Sequence, residues 1–150
     1  MTHADPQLVA AIASAADHPD AVCHAILRAL NVPAFVHRGE RVVSCNAALA
    51  RLLGLSEDQV LAMRPAELAV ADMRERMEEY GQACLAVDPE PAATEMTLCT
   101  ATGEARFVEL TSRRLDIGGR PTVVSTCQDL SDMRHVQTSL LNTSQVLNQI

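Results

Sequence analysis

Residues 34–58 read AFVHRGERVVSCNAALARLLGLSED, and two structural periods meet inside them. Ala34 to His37 has the pattern of a short strand, Arg38-Gly39-Glu40 that of a turn, and Arg41 to Cys45 that of a second strand folded back on the first. Asn46 then caps a helix carrying Leu49, Leu52, Leu53 and Leu55, and Gly54 stands where a helix ends on a left-handed residue. Ser56, with Gln59 three residues on, forms the capping-box pattern of the next short helix.

Towards the C-terminus the helical period continues. After Arg64-Pro65 a short turn (AELA) leads into a longer helix, about Ala71 to Ala86, whose Met73, Met77, Tyr80, Cys84 and Val87 recur at helical spacing. From Pro91 the period changes to that of strands. Thr94 to Thr100, Ala105 to Leu115 and Pro121 to Gln128 are β-rich, separated by the hairpin signals Thr102-Gly103 and Ile117-Gly118-Gly119. Towards the N-terminus, Asp5-Pro6 opens an Ala-rich helix and His18-Pro19-Asp20 opens another. In the second, Val22, Ile26, Leu27 and Leu30 make one apolar stripe. Beyond the last strand, Met133, Val136, Leu140, Thr143, Leu147 and Ile150 alternate steps of three and four, as a coiled-coil seam does over about three heptads. That seam predicts a homodimer.

Composition narrows the function. The 150 residues carry a formal net charge of −7, and all twelve basic residues are arginines. No Lys/Arg stripe exists to displace counterions from phosphates, so nucleic acid is not expected as a partner. No apolar run reaches the ~20 residues that span a bilayer, and the N-terminus lacks the basic start of a secretory signal, so a cytoplasmic location is expected. Five widely spaced cysteines without a C-x-x-C pair read as buried, reduced thiols, and no metal site is expected.

The order of two strands, several short helices and three hairpin-linked strands resembles the PAS family of sensory domains over Ala34 to Asp132. The resemblance rests on FVHRGERVVSCN, on the helix from Asn46-Ala47-Ala48-Leu49 through Leu53-Gly54-Leu55-Ser56-Glu57-Asp58, on Thr102-Gly103-Glu104 before FVEL, and on Asp129-Leu130-Ser131-Asp132, which is similar to the tripeptide that closes the last strand of many such domains. It implies an α+β fold: a five-stranded antiparallel sheet with short helices over one face around a small pocket. The division expected is residues 1–32 as an N-terminal helical cap, 33–129 as the PAS domain and 130–150 as a truncated coiled-coil signalling helix. Independently, such a sheet needs its other face shielded by a terminal helix.

If Cys127 points into the pocket, as its place in the family pattern implies, strand alternation puts Val123 and Ser125 beside it. The same alternation turns Met96, Leu98, Val108, Leu110 and Ser112 inward and Phe107, Glu109 and Thr111 outward. Phe35 and His37 share a face of the first strand. The resulting lining is aliphatic and thioether with a few polar points, which suits a small apolar ligand and equally suits a filled core. Light-sensing flavin members resemble Asn-Cys-Arg at the start of the long helix. Here that region is Met63-Arg64-Pro65-Ala66-Glu67, and Cys127 stands at their Gln position, so flavin photochemistry is not expected. Haem-binding members usually present a His from the long helix, and none occurs from Ala71 to Val87. His37 is left as the candidate haem ligand, although a lone strand histidine is more often structural. The cofactor is otherwise undetermined. A thiol sensor at Cys127 or Cys99 would need a depressed thiol pKa.

No phosphate loop, nucleophile elbow, metalloprotease helix or paired carboxylate appears, and Arg74 with Glu78 at i,i+4 reads as a solvated helix face. The expected function is therefore a non-enzymatic sensory module that dimerises and relays a pocket change through Asp129 and Ser131 to an effector, by resemblance a histidine kinase or a cyclic-dinucleotide enzyme. The alternatives are a ligand-free dimerisation and protein-interaction platform, or a haem-binding gas or redox sensor.

Overall fold

The computed structural model describes residues 19–86 and 91–131. The N-terminal helix expected after Asp5-Pro6 and the seam Met133, Val136, Leu140, Leu147 and Ile150 lie outside them. Within them run α1 (Pro19–Arg28), β1 (Ala34–His37), β2 (Val42–Cys45), α2 (Ala47–Leu53), α3 (Glu57–Leu61), 3₁₀ turns at Pro65–Leu68 and Ala71–Met73, α4 (Arg74–Leu85), β3 (Thr94–Cys99), β4 (Ala105–Ile117) and β5 (Arg120–Asp129). The strands form one antiparallel sheet in the order β2-β1-β5-β4-β3, so the last strand lies at its centre.

Local chemistry accounts for the element ends. The Asn46 side chain accepts the Leu49 amide at the start of α2, and Gly54 closes that helix at φ 68°, a left-handed conformation that costs a residue without Cβ nothing. The Ser56–Gln59 capping box is complete at α3. Gly118 and Gly119, both at positive φ, link β4 to β5 in a two-residue turn with Ile117 opposite Arg120. These strands run longer than expected, because the twist of such a turn matches that of the strands and lets pairing continue to the turn itself.

The sheet separates two apolar layers. On one face, Phe35, Val42, Cys45, Met96, Leu98, Val108, Leu110 and Cys127 meet Leu49, Leu53, Val60, Leu68 and Met77 from the helices and turns. On the other, Val22, Cys23 and Leu27 of α1 pack on Ala34, Val36, Val124 and Ile117. Thus α1 shields the second face. A register shift between Val36 and His37 pairs them with Ser44 and Val42, so that Val43, skipped by the pairing, packs into the α1 layer.

Asn46 joins these parts. Its Oδ1 accepts the Ala34 and Leu49 amides, each at 3.1 Å, and its Nδ2 donates to the Val32 carbonyl at 2.7 Å. One buried side chain therefore ties the approach to β1, the first residue of β1 and the α2 cap. We expect Asn46→Ala to cost about 2 kcal/mol, the sum of a lost cap and a buried Ala34 amide left unpaired. Asn46→Ser keeps an N-cap acceptor for the Leu49 amide and forgoes the reach to Ala34 and Val32, so it should cost less. Urea unfolding of the two variants checks this, and equal losses would refute the division of roles.

Candidate functional site

All nine side chains expected to line the interior, Phe35, His37, Met96, Leu98, Val108, Leu110, Val123, Ser125 and Cys127, are buried. Strand pairing brings them together: Phe35 lies opposite Ser125, His37 opposite Val123, Leu110 opposite Cys127 and Met96 opposite Val108. Phe107, Glu109 and Thr111 occupy the alternate positions of β4 and are partly or largely exposed.

Two polar features interrupt this layer. Ser112 and Ser125 share a hydrogen bond of 2.7 Å, and the Tyr80 hydroxyl of α4 donates to Ser112 Oγ at 3.1 Å. This chain spans from the helix across two strands. Counting equal steps back from Ile117 and forward from Arg120 arrives at Ser112 and Ser125, so the hairpin turn carries the signal for that pair. The Tyr80 bond has no such local signal, since it depends on how α4 crosses the sheet.

The second feature is His37. Its ring stacks near Phe35, with centroids 6.1 Å apart at 27°. Nδ1 accepts the Gly39 amide at 3.1 Å, which places the proton of the neutral ring on Nε2. Burial pushes the His37 pKa down to about 4, against a smaller opposing pull from Glu78. The ring edge lies over Gly81, whose missing Cβ would sit 3.5 Å from Cε1. The cavity beside it, between His37, Gly39, Pro65, Met77, Gly81 and Gln82, has a volume of about 10 Å³. That is room for about one water molecule. A porphyrin does not fit beside His37 in this packing.

The thiols follow their surroundings. Burial pushes Cys127 up to about 12 and, with Glu57 and Asp58 adding to it, Cys45 up to about 11. This is the opposite of the depressed pKa that a thiolate sensor at Cys127 requires. At pH 7 a thiol of pKa about 12 is ionised to roughly one part in 10⁵. We expect Cys127 in the folded protein to react with iodoacetamide at least about 100-fold more slowly than a free thiol. Urea should abolish the difference, and labelling of Cys127 at the free rate in the native state would refute the closed interior.

At the far end of β5, Asp129 Oδ1 accepts the Ser131 amide at 2.9 Å, the Ser131 hydroxyl accepts the Phe107 amide at 3.2 Å, and the Leu130 amide donates to the Phe107 carbonyl at 2.7 Å. Asp129 also lies 4.0 Å from Arg106. The exit of β5 is therefore fastened to the neighbouring strand. In α4, Glu78 pairs with Arg64 at 3.5 Å, while Arg74 donates to the Ala69 carbonyl five residues before it, so these contacts replace the i,i+4 pair expected along the helix. Among the described residues, no three His, Cys, Asp or Glu side chains are grouped to hold a metal ion, and no helix is long and apolar enough to cross a membrane.

A five-stranded antiparallel sheet with its last strand central, short helices over one face and an apolar inner layer defines a class of small α+β domains. The chain belongs to the PAS family, whose model, described as the PAS fold, matches residues 23–130. A search of curated proteins finds no match. Among solved structures the chain is similar to the PAS domain of a protein from Desulfitobacterium hafniense, at 15% identity and a TM-score of 0.61 over 69% of this chain and 97% of that one. It is also similar to a domain of a sensory box sensor histidine kinase/response regulator from Geobacter sulfurreducens, at 19% identity and a TM-score of 0.56 over 65% and 82%. A third is the PAS domain, in complex with ethanol, of a LuxR-family transcriptional regulator from Burkholderia thailandensis, at 21% identity and a TM-score of 0.55 over 70% and 94%.

Proposed function

We propose that the chain is a non-enzymatic sensory module in which residues 1–32 cap the domain, 33–129 sense, and 130–150 carry the signal onward as one strand of a dimeric coiled coil. The observation that carries this reading is the course of β5. The strand that supplies Val123, Ser125 and Cys127 to the interior ends at Asp129, and there Asp129 and Ser131 fasten the exit to Phe107. A change in the interior that shifts β5 acts directly on the geometry with which the following segment leaves. Histidine kinase and regulator contexts, found for similar domains, indicate the class of effector.

The ligand in this reading is small and apolar, as ethanol is in the domain from Burkholderia thailandensis. It enters by displacing Met77 and Met96, whose unbranched side chains repack readily. The small cavity beside His37 favours a second reading, a ligand-free platform for dimerisation. Mass spectrometry of the undenatured protein separates the two. A retained adduct of small mass supports the sensor, and its absence, both from the protein as purified and after exposure to short alcohols, supports the platform. For the relay, the Asp129→Ala/Ser131→Ala pair in the protein joined to its effector should uncouple output while leaving the fold intact. Unchanged signalling would exclude these residues as the relay.

A further inference from the structure

A second concavity lies apart from the inner layer, at the end of the sheet opposite Asp129. It is a cleft of about 640 Å³ walled by Arg38, Arg41, Arg64 and Arg120, with Glu40 and the two valines Val42 and Val43. Four of the chain's twelve basic residues thus meet in one place, although the chain as a whole carries −7. They arrive on three separate segments, the β1–β2 turn, the chain after α3 and the start of β5, so the fold and not a local run assembles them.

The four are not equivalent. Arg38 is a fixed wall: its side chain is 8% exposed, its Nε donates to Thr122 Oγ1 at 3.3 Å, and its Nη1 meets Asp20 at 3.0 Å. Arg64 is half-exposed and shares Glu78 at 3.5 Å, a weak surface pair that another anion can replace. Arg41 and Arg120 are exposed and make no side-chain hydrogen bond or ion pair with described residues. Two unpaired guanidinium groups, backed by two more, therefore face one cleft on adjacent hairpins. Each is a planar fork of donors that matches a phosphate or carboxylate through two parallel hydrogen bonds.

The size and lining select the occupant. The volume lies within the range of small-molecule sites, about 300–1,000 Å³. No aromatic ring lines the cleft to stack a base, and two valines are too little apolar surface to anchor a peptide. We propose that this cleft binds a small polyanion carrying two or more phosphate or carboxylate groups. One group is held by Arg41, the other by Arg120, with Arg64 closing over them. Such a ligand bridges the β1–β2 hairpin to the β4–β5 hairpin at the start of β5. That strand ends at Asp129, nine residues or roughly 30 Å further along.

Calorimetric titration of the purified chain with pyrophosphate and with malonate tests this. The expected result is saturable binding of one equivalent of at least one of them, weakened tenfold or more in Arg41→Ala/Arg120→Ala. Arg51→Ala/Arg76→Ala, which removes the same charge from two exposed positions outside this cleft, should bind as the parent does. Pyrophosphate alone binding identifies phosphate as the recognised group, and malonate alone identifies carboxylate. No saturable binding of either up to about 10 mM, an affinity too weak for a specific site, would overturn the proposal. Equal weakening in both double variants would also overturn it, since only net charge would then matter.

Discussion

Phe35→Ala should lower the free energy of unfolding by about 4 kcal/mol, the cost of removing a large buried aromatic and leaving a cavity behind. Phe35 is 1% exposed and sits in the inner layer between Cys45 on β2 and Ser125 on β5, with the His37 ring beside it. It is the larger of the anchors at the junction of the two hairpins. The surrounding Val42, Leu49 and Leu110 belong to elements fixed by their own hydrogen bonds and cannot collapse into the gap. Urea denaturation checks the value. Phe35→Leu should retain most of the stability, and an alanine variant within about 1 kcal/mol of the parent would mean that the layer closes up around the loss. If an apolar ligand does enter this layer, the alanine variant should also retain it more tightly than the parent, because the space is then already open.

Between pH 6.5 and 4 the protein should lose about 3 kcal/mol of stability through His37 alone. The unfolded chain takes up a proton on this residue near pH 6.5, whereas the folded chain, with the ring buried, does so only near pH 4. Throughout that window the unfolded state binds the additional proton, so stability falls as the pH falls. Above pH 6.5 both states are neutral and the contribution is constant. The readout is a difference. The parent should lose about 3 kcal/mol more than His37→Gln when the pH is brought from 7 to 4, with the titration of surface carboxylates common to both. Parallel stability curves would show that His37 takes up its proton in the folded state as readily as in the unfolded one. At neutral pH the ring is uncharged, which keeps the interior suited to apolar occupants.

What could be read from the residues divides by range. The caps at Asn46, Gly54 and Ser56 with Gln59, and the turn at Gly118-Gly119, act on backbone groups within four residues of themselves, so each helix end and the turn are legible, although the strands beside the turn run on to Ile117 and Arg120. Alternation along β3, β4 and β5 was equally local, so the inward set from Met96 to Cys127 could be listed. Contacts made by tertiary approach had no such trace. The Tyr80 hydroxyl finds Ser112 thirty-two residues away, Asn46 reaches back to Ala34 and Val32, and Glu78 turns from Arg74 to Arg64. The Arg38–Arg41–Arg64–Arg120 cleft belongs to the same group, because nothing in a run of residues announces that separate turns will meet. The skipped Val43 is a further case: alternation alone would put Val42 and Cys45 on opposite faces, whereas both join the inner layer.

The strand order has a bearing on how the domain comes to be made. β1 finds its second neighbour only in β5, with Ala34 opposite Thr126 and Phe35 opposite Ser125, ninety residues or more further along the chain. Until β5 has been synthesised, the β1–β2 and β3–β4 pairs are two isolated hairpins with no strand between them, and such hairpins are marginal in water. Closing the sheet is thus a late, long-range event, of the kind that slows folding, and an emerging chain must hold its apolar inner residues without a finished core until then. The strand that completes the core is also the one that leads out of it. A nascent chain therefore cannot present the segment after Asp129 in its native setting before the domain behind it is able to close.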